Sequence, residues 1–289
     1  MEKTLKLKKS AALYSVISNS LLIILKFIAG FITGSISIIS EAVHSMIDLL
    51  ASLIAFISVS FSSHPADYNH PYGHGKVENI SGAVEAILIF FAAGYIIYES
   101  ILKILKGVRL ESIEYGIYVM IISVIVNTFV SRYLFKVAHK TSSIALEADA
   151  AHLSTDVYTS LGVFAGLIVV KLTGLNFLDP LVAMMVALFI IRTAYHLTAK
   201  SLRDLLDHTI PKEEEFKIKN ILDEHQDKFV SYHKLRSRKS GNERYIDLHL
   251  VMPNKISVAD AHEFCTHLEK DIESIFPKSV VTIHVEPAQ

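Results

Sequence analysis

Six apolar segments, each long enough to cross a lipid bilayer as a helix, occupy the first two thirds of the chain. They cover residues 11–32, 36–62, 80–106, 113–136, 144–172 and 178–201. A transmembrane helix needs about 20 predominantly apolar residues. Hydrophobic residues make up 51% of the chain, and the mean hydropathy of +0.40 is high for a soluble protein. We therefore predict an all-α membrane bundle of six transmembrane helices.

The chain changes character after about residue 205, where the apolar runs become short and charged residues become frequent. Pro211 followed by acidic residues is typical of a helix start. The residue pattern predicts helices over 213–227 and 257–275 and strands over 230–238, 244–252 and 279–285. We therefore predict a membrane domain over residues 1–208 and a soluble α+β domain of order α-β-β-α-β over residues 209–289.

Basic residues are unevenly distributed between the two sides of the predicted bundle. One side, which includes the N-terminus, carries Lys3, Lys6, Lys8, Lys9, Lys76, Arg132, Lys136, Lys140, Lys200 and Arg203, whereas the other carries Lys103, Lys106, Arg109 and Lys171. Cytoplasmic loops are enriched in lysine and arginine. The pattern predicts a multi-pass protein of the plasma (inner) membrane with both termini in the cytoplasm. The first apolar run has no small-residue cleavage site, so it is interpreted as a retained helix.

Overall composition excludes several classes of protein. The net charge of −1 gives no indication of nucleic-acid binding. Cys265 is the single cysteine, which excludes an internal disulfide and a cysteine-based metal cage.

Two predicted membrane helices carry the same pair of ionisable residues. His44 and Asp48 lie four residues apart in the second segment, and His152 and Asp156 lie four apart in the fifth. Residues four apart share one face of a helix, so two facing copies would present two imidazoles and two carboxylates to one point. Zn²⁺ favours such ligands, whereas Cu(I) selects thiolates and Mg²⁺ and Ca²⁺ prefer oxygen. The alternative is that each histidine only forms a hydrogen bond to a neighbouring helix.

Three further acidic residues of these segments are interpreted as structural. Glu41, Glu147 and Asp149 would lie near helix ends, fill a wet cavity or pair with Lys26.

The loop after the second segment contains a second candidate metal site. Asp67, His70 and His74 lie within eight residues, and Pro71, Gly73 and Gly75 let the backbone bend sharply between them. The alternative is a solvated histidine-rich loop without a ligand.

Histidines are also frequent in the predicted soluble domain, at positions 225, 233, 249, 262, 267 and 284. His262 and His267 are five residues apart, which turns the second imidazole about 140° away on a helix. A metalloprotease needs both imidazoles on one face, so that class of enzyme is excluded.

The chain resembles the cation diffusion facilitator family over essentially its whole length. Three motifs carry the resemblance: His44-Ser-Met-Ile-Asp48, Pro65-Ala-Asp-Tyr-Asn-His-Pro-Tyr-Gly-His-Gly-Lys-Val-Glu78 and Asp149-Ala-Ala-His-Leu-Ser-Thr-Asp156. The resemblance implies a homodimer in the lipid bilayer that exports divalent metal from the cytoplasm in exchange for protons. It also implies that the soluble domain has a metallochaperone-like fold.

The resemblance assigns roles to individual residues. His44, Asp48, His152 and Asp156 match the transport site, and Asp67, His70 and His74 match the loop site. The cytoplasmic metal site would consist of His233, His249, His262, His284 and Glu286, and a charge interlock between protomers would join Lys76 and Asp207. The chain departs from well-known bacterial zinc exporters at His44, where they have Asp, and at Glu286, where Asp is usual.

These observations predict a secondary active transporter, not an enzyme, with Zn²⁺ as the transported ion and as a regulatory ligand. Fe²⁺, Co²⁺, Cd²⁺ and Ni²⁺ could use the same ligands, because affinity alone does not define selectivity. The competing hypotheses are a membrane metal sensor without transport, a membrane-embedded metal-dependent enzyme and a channel.

Overall fold

The computed structural model describes residues 2–33, 36–106, 116–175 and 177–288, and the chain forms two compact units, Met1–Leu202 and Arg203–Gln289. Six long helices start in the first unit. They are α1 (Glu2–Thr33), α2 (Ile36–Ser62), α3 (Lys76–Lys106), α4 (Gly116–Thr141), α5 (Ile144–Thr173) and α6 (Leu178–Leu205). The predicted helical membrane bundle is confirmed. The basic N-terminal residues are part of α1, and the predicted start of the fourth helix at residue 113 lies outside the described residues.

Several of these helices have the length and composition of transmembrane segments. Within the described ranges, four stretches qualify: Lys3–Ala29, Lys76–Leu105, Ile121–Thr141 and Pro180–Leu205. Large apolar side chains on these helices point outward, among them Leu21, Phe91 and Phe129, which are 61%, 72% and 69% exposed. Exposed apolar surface on this scale is unfavourable in water and is typical of membrane-spanning helices.

Helix α5 lies at the centre of the bundle, where it packs against α1, α2, α3 and α4. Its buried face is rich in alanine, including Ala145, Ala148, Ala150 and Ala151, all of which are 4% exposed or less. Small side chains let helix backbones approach closely, and this close packing replaces the hydrophobic effect, which is absent between helices in lipid. Helix α6 joins this core where Ile190 and Ala194 pack with Ala148 and Ala151.

A buried ion pair ties one end of the bundle together. Lys8 of α1 donates to the Glu78 carboxylate of α3 at 2.7 Å, and both side chains are at most 5% exposed. Ser62 of α2 donates to the same carboxylate at 2.9 Å, and Ser143, just before α5, also donates to it. A buried carboxylate is stable only when paired and hydrogen-bonded, so Glu78 links four helices.

The second unit contains α7 (Lys212–Glu224), a 3-10 turn (Gln226–Lys228), β1 (Ser231–Ser240), β2 (Glu243–Met252), α8 (Val258–Ile275) and β3 (Ser279–Pro287). The predicted α-β-β-α-β order is therefore observed. The sheet order is β1-β2-β3, with β1 antiparallel and β3 parallel to β2. At the turn between β1 and β2, Gly241 has a φ of 60°, which glycine adopts without a steric penalty.

The two faces of this sheet have different partners. Ile246, Leu248 and Leu250 of β2 are buried in a core that they share with α7 and α8. Because successive side chains of a strand point to opposite faces, Asp247 and His249 lie on the face away from the helices. The sheet thus has one apolar, helix-covered face and one polar face.

The close approach of α3, α5 and α6 gives a test of the packing at Gly82. A Cβ at this position would lie 2.6 Å from Ile144 Cγ2 and 2.8 Å from Ser201 Oγ, whereas a Cβ at Gly94 of the same helix would meet no atom within 4 Å. We expect Gly82→Val to destabilise the bundle by about 1–3 kcal/mol through overpacking. The thermal midpoint of the purified protein in detergent measures this effect.

The matched control is Gly94→Val, which makes the same change in side chain and helix propensity where there is space. An equal loss of stability in the two variants would contradict the close packing of α3 at Gly82.

Candidate metal centres

The first centre lies inside the helical bundle, between α2 and α5. Asp48 of α2 and His152 of α5 are 7% and 5% exposed, and the His152 Nε2 and Asp48 Oδ1 atoms are 3.2 Å apart. Asp156 follows one turn after His152, and one ligand atom from each of the three residues lies within 4.8 Å of the others. The backbone of His44 belongs to α2 one turn before Asp48, but its side chain lies outside the described residues.

Neighbouring helices hold the backbone around this centre. Asn19 of α1 donates from Nδ2 to the Asp48 carbonyl oxygen at 3.4 Å and to Ser52 Oγ at 3.0 Å. On the other side, Ser131 of α4 donates to the Ala150 carbonyl oxygen at 2.9 Å. Asn19, Ser52 and Ser131 were not predicted as part of this centre. Small polar residues in apolar helices are the signal that could have identified them, since they form hydrogen bonds between membrane helices.

The ligand types and spacing suit a divalent transition metal. A tetrahedral ion with ligand distances of 2.0–2.1 Å places neighbouring ligand atoms about 3.4 Å apart. The 3.2 Å between His152 and Asp48 is close to that value. A metal ion would also compensate two carboxylates that are costly to keep in an apolar bundle.

The three further acidic residues of α2 and α5 differ in their surroundings. Glu147 forms an ion pair with Lys200, with an Nζ–Oε2 distance of 2.6 Å. Glu147 lies in the first turn of α5, near a helix end, which is one of the positions predicted for it. Lys26 donates to Ser45 at 2.6 Å. Asp149 is fully buried within α5. The side chain of Glu41 lies outside the described residues.

The second centre is the loop between α2 and α3. Asp67 Oδ1 lies 3.1 Å from His70 Nδ1, and Asp67 Oδ2 lies 3.4 Å from His74 Nε2. The His70 backbone N–H donates to the Asp67 carboxylate at 2.6 Å and lowers the pKa of that carboxyl group. Gly73, with a φ of 75°, turns the chain so that the two imidazole rings lie 4.4 Å apart between centroids. The three predicted loop residues therefore form one group.

The third centre lies on the polar face of the sheet in the second unit. The strand register places His249 of β2 opposite His233 of β1 and opposite His284 of β3. Glu286 Oε2 lies 3.3 Å from His233 Nε2, and Glu286 Oε1 lies 2.7 Å from His249 Nδ1. The hydrogen bond from His249 is the main cause of a lowered Glu286 pKa. We call this group the strand site.

Two of the five residues predicted for the cytoplasmic site stand further from this group. His284 Nε2 is 3.8 Å from Glu286 Oε1, at the edge of the strand site. His262 is exposed on α8, and α8 packs on the opposite face of the sheet. Among the described residues, His233, His249 and Glu286 have ligand atoms within 4.8 Å of one another, and His262 is not part of this group. The role of His262 stays a prediction.

The predicted interlock also stays a prediction, because it concerns two protomers. Within one chain, Asp207 accepts from Arg238 at 3.2 Å in the cytoplasmic unit, and Lys76 is the first residue of α3.

Comparison with known proteins covers nearly the whole chain. An uncharacterized transporter of Synechocystis sp. is 34% identical over 265 residues, which is 92% of this chain and 86% of that protein. The cation-efflux pump FieF of Yersinia enterocolitica is 30% identical over 282 residues, which is 98% of this chain and 93% of that pump. A solved chain of the transporter CzrB is 33% identical with a TM-score of 0.27, and covers 28% of this chain and 99% of its own length.

Two family models match in succession. Residues 12–206 match the cation efflux transmembrane domain, and residues 210–288 match the cytoplasmic domain of cation efflux proteins. These matches and the helical bundle agree with the motif resemblance. The chain therefore belongs to the cation efflux family, the cation diffusion facilitators, and is a membrane transporter that exports cations.

Proposed function

We propose that this protein exports Zn²⁺ from the cytoplasm in exchange for protons. The observation that carries the proposal is the convergence of Asp48, His152 and Asp156 inside the bundle, within 4.8 Å of one another. His44, on the same helix face as Asp48, would supply the fourth ligand. Zn²⁺ accepts four tetrahedral nitrogen and oxygen ligands of this kind.

Proton exchange follows from the chemistry of these ligands. A metal ion binds neutral imidazole and ionised carboxylate, so bound metal and bound protons compete for the same atoms. In the cytoplasm-facing state the site would load metal and release protons, and in the outward-facing state it would take up protons and release metal. A rearrangement of helices would alternate the access, as a transporter requires and a channel does not.

The rest of the protein would support this cycle. We propose a homodimer in the plasma membrane, with both termini in the cytoplasm, a transport domain over residues 1–208 and a regulatory domain over residues 209–289. Binding of Zn²⁺ at the loop site and the strand site would stabilise one arrangement of the dimer by differential affinity. An interprotomer ion pair between Lys76 and Asp207 would hold the two membrane domains together.

The transport site is tested by Asp48→Asn, which keeps the shape of the side chain and removes its charge. We expect zinc transport to fall at least about 100-fold, because second-shell changes alone cost 10–100-fold in metal affinity. The measurement is uptake of Zn²⁺ into proteoliposomes that contain a fluorescent zinc indicator.

The control is Glu99→Gln, which removes a half-exposed carboxylate that pairs with Lys103 near the end of α3. Normal transport by Asp48→Asn would refute the site. In the same assay, competition by Fe²⁺, Co²⁺, Cd²⁺ and Ni²⁺ ranks the affinity of the site for these ions, and we expect Zn²⁺ to be preferred.

Proton coupling is tested with a pH gradient across the proteoliposome membrane. We expect Zn²⁺ to accumulate faster when the lumen is acidic, because protons then displace the metal from the site that opens inward to the lumen. An ionophore that collapses the gradient should abolish the difference. Transport at one rate with and without the gradient would contradict exchange with protons.

The strand site is tested by Glu286→Gln. The pKa of Glu286 is lowered, with the hydrogen bond from His249 as the main cause. The carboxylate should therefore stabilise the metal-free domain above pH 4.5, the ordinary value of this group. That contribution is lost as the pH falls through the lowered pKa. We expect Glu286→Gln to unfold at a lower temperature than the original protein near neutral pH, and the difference to disappear in acid.

Circular dichroism of the metal-free protein in detergent measures these unfolding temperatures. Glu224→Gln, an exposed change at the end of α7, is the control. A difference between Glu286→Gln and the original protein that persists unchanged in acid would show that the carboxylate charge is not its cause.

A further inference from the structure

A second group of potential metal ligands lies in the helix layer of the cytoplasmic unit, apart from the strand site. It consists of His225, where α7 ends, and His267 and Asp271 of α8. Asp271 Oδ2 lies 3.4 Å from His225 Nε2 and 3.5 Å from His267 Nε2. One ligand atom from each residue lies within 4.8 Å of the others. None of the three belongs to the sites described above.

The spacing of these atoms suits a shared ion. Charge-assisted hydrogen bonds between nitrogen and carboxylate oxygen are about 2.7–2.9 Å long. Ligand atoms around a tetrahedral Zn²⁺ are about 3.4 Å apart. The distances from Asp271 Oδ2, which are 3.4 Å to His225 Nε2 and 3.5 Å to His267 Nε2, are close to this spacing around Zn²⁺.

The orientation of His225 is a separate indication of a ligand. Its Nδ1 lies 2.9 Å from the Ile221 carbonyl oxygen, and a carbonyl oxygen can only accept, so Nδ1 carries the proton. In a neutral imidazole this leaves the lone pair on Nε2, which points towards Asp271 and His267. Histidines that bind metal typically have their other nitrogen fixed by such a second-shell bond.

The surroundings hold the group in place and leave it accessible. The His225 ring packs against Phe264, with 6.0 Å between centroids, and its side chain is 15% exposed. His267 and Asp271 lie one turn apart on one face of α8. Their side chains are 55% and 37% exposed, so an ion can enter from solvent and keep a water molecule as its fourth ligand.

We propose that His225, His267 and Asp271 form an additional Zn²⁺ site, which we call the helix site. His267-Leu-Glu-Lys-Asp271 repeats the spacing of His44 with Asp48 and of His152 with Asp156. An ion there fixes the C-terminal end of α7, and with it the connection to β1, against α8. The helix site does not depend on the direction or coupling of transport.

The test is residue-resolved histidine modification of the full-length protein in detergent, using diethylpyrocarbonate and mass spectrometry. We expect Zn²⁺ to protect His225 and His267 in the original protein, and Mg²⁺ to protect neither. In Asp271→Asn the protection of both should be lost, while His249 of the strand site stays protected. Equilibrium dialysis should show one zinc ion fewer per chain.

The control is Glu273→Gln, an exposed change on the same helix, which should keep both the protection and the zinc content. His267→Gln is a second variant at a largely exposed position, so it tests the site without disturbing the core. Unchanged zinc content in both Asp271→Asn and His267→Gln would overturn the proposal and leave only a histidine–aspartate ion pair. Loss of protection at His249 together with His225 in Asp271→Asn would also overturn it, because the effect would then not be local.

Discussion

The structure of the membrane unit depends on the cost of placing charge in an apolar surrounding. An unpaired charge there costs several kcal/mol, and a pair is tolerated only with good geometry and further hydrogen bonds. Glu78 meets this condition by accepting from Lys8, Ser62 and Ser143. This permanent pairing makes Glu78 a structural link between four helices.

The carboxylates of the centre between α2 and α5 have different partners. Asp48 has His152 at 3.2 Å, and imidazole is also a common ligand of transition metals. A lysine ammonium only donates hydrogen bonds, whereas histidine and carboxylate side chains are also ligands of Zn²⁺. The Lys8–Glu78 pair therefore suits a structural role, whereas the Asp48–His152 pair also suits metal binding.

The histidine–carboxylate groups of this chain are built on different backbone geometries. In the bundle, His152 and Asp156 use one helical turn, and α2 brings Asp48 from 104 positions away. In the loop, the backbone N–H of His70 orients Asp67. In the strand site, the parallel register of β2 and β3 pairs His249 with His284, and Glu286, two residues further along β3, reaches His249 at 2.7 Å. Only the first two geometries leave a short, readable spacing in the sequence.

The sequence by itself determined the local features. Apolar length predicted the helices of the bundle, alternation predicted the three strands, and a four-residue spacing predicted His152 and Asp156 on one face, because these patterns follow from backbone periods of 3.6 and 2.0 residues. The choice of partners was decided by the tertiary structure. It paired Glu147 with Lys200, 53 positions away, and joined His267 to His225 through Asp271. Such contacts depend on which helix faces meet, and packing across the whole unit fixes that arrangement.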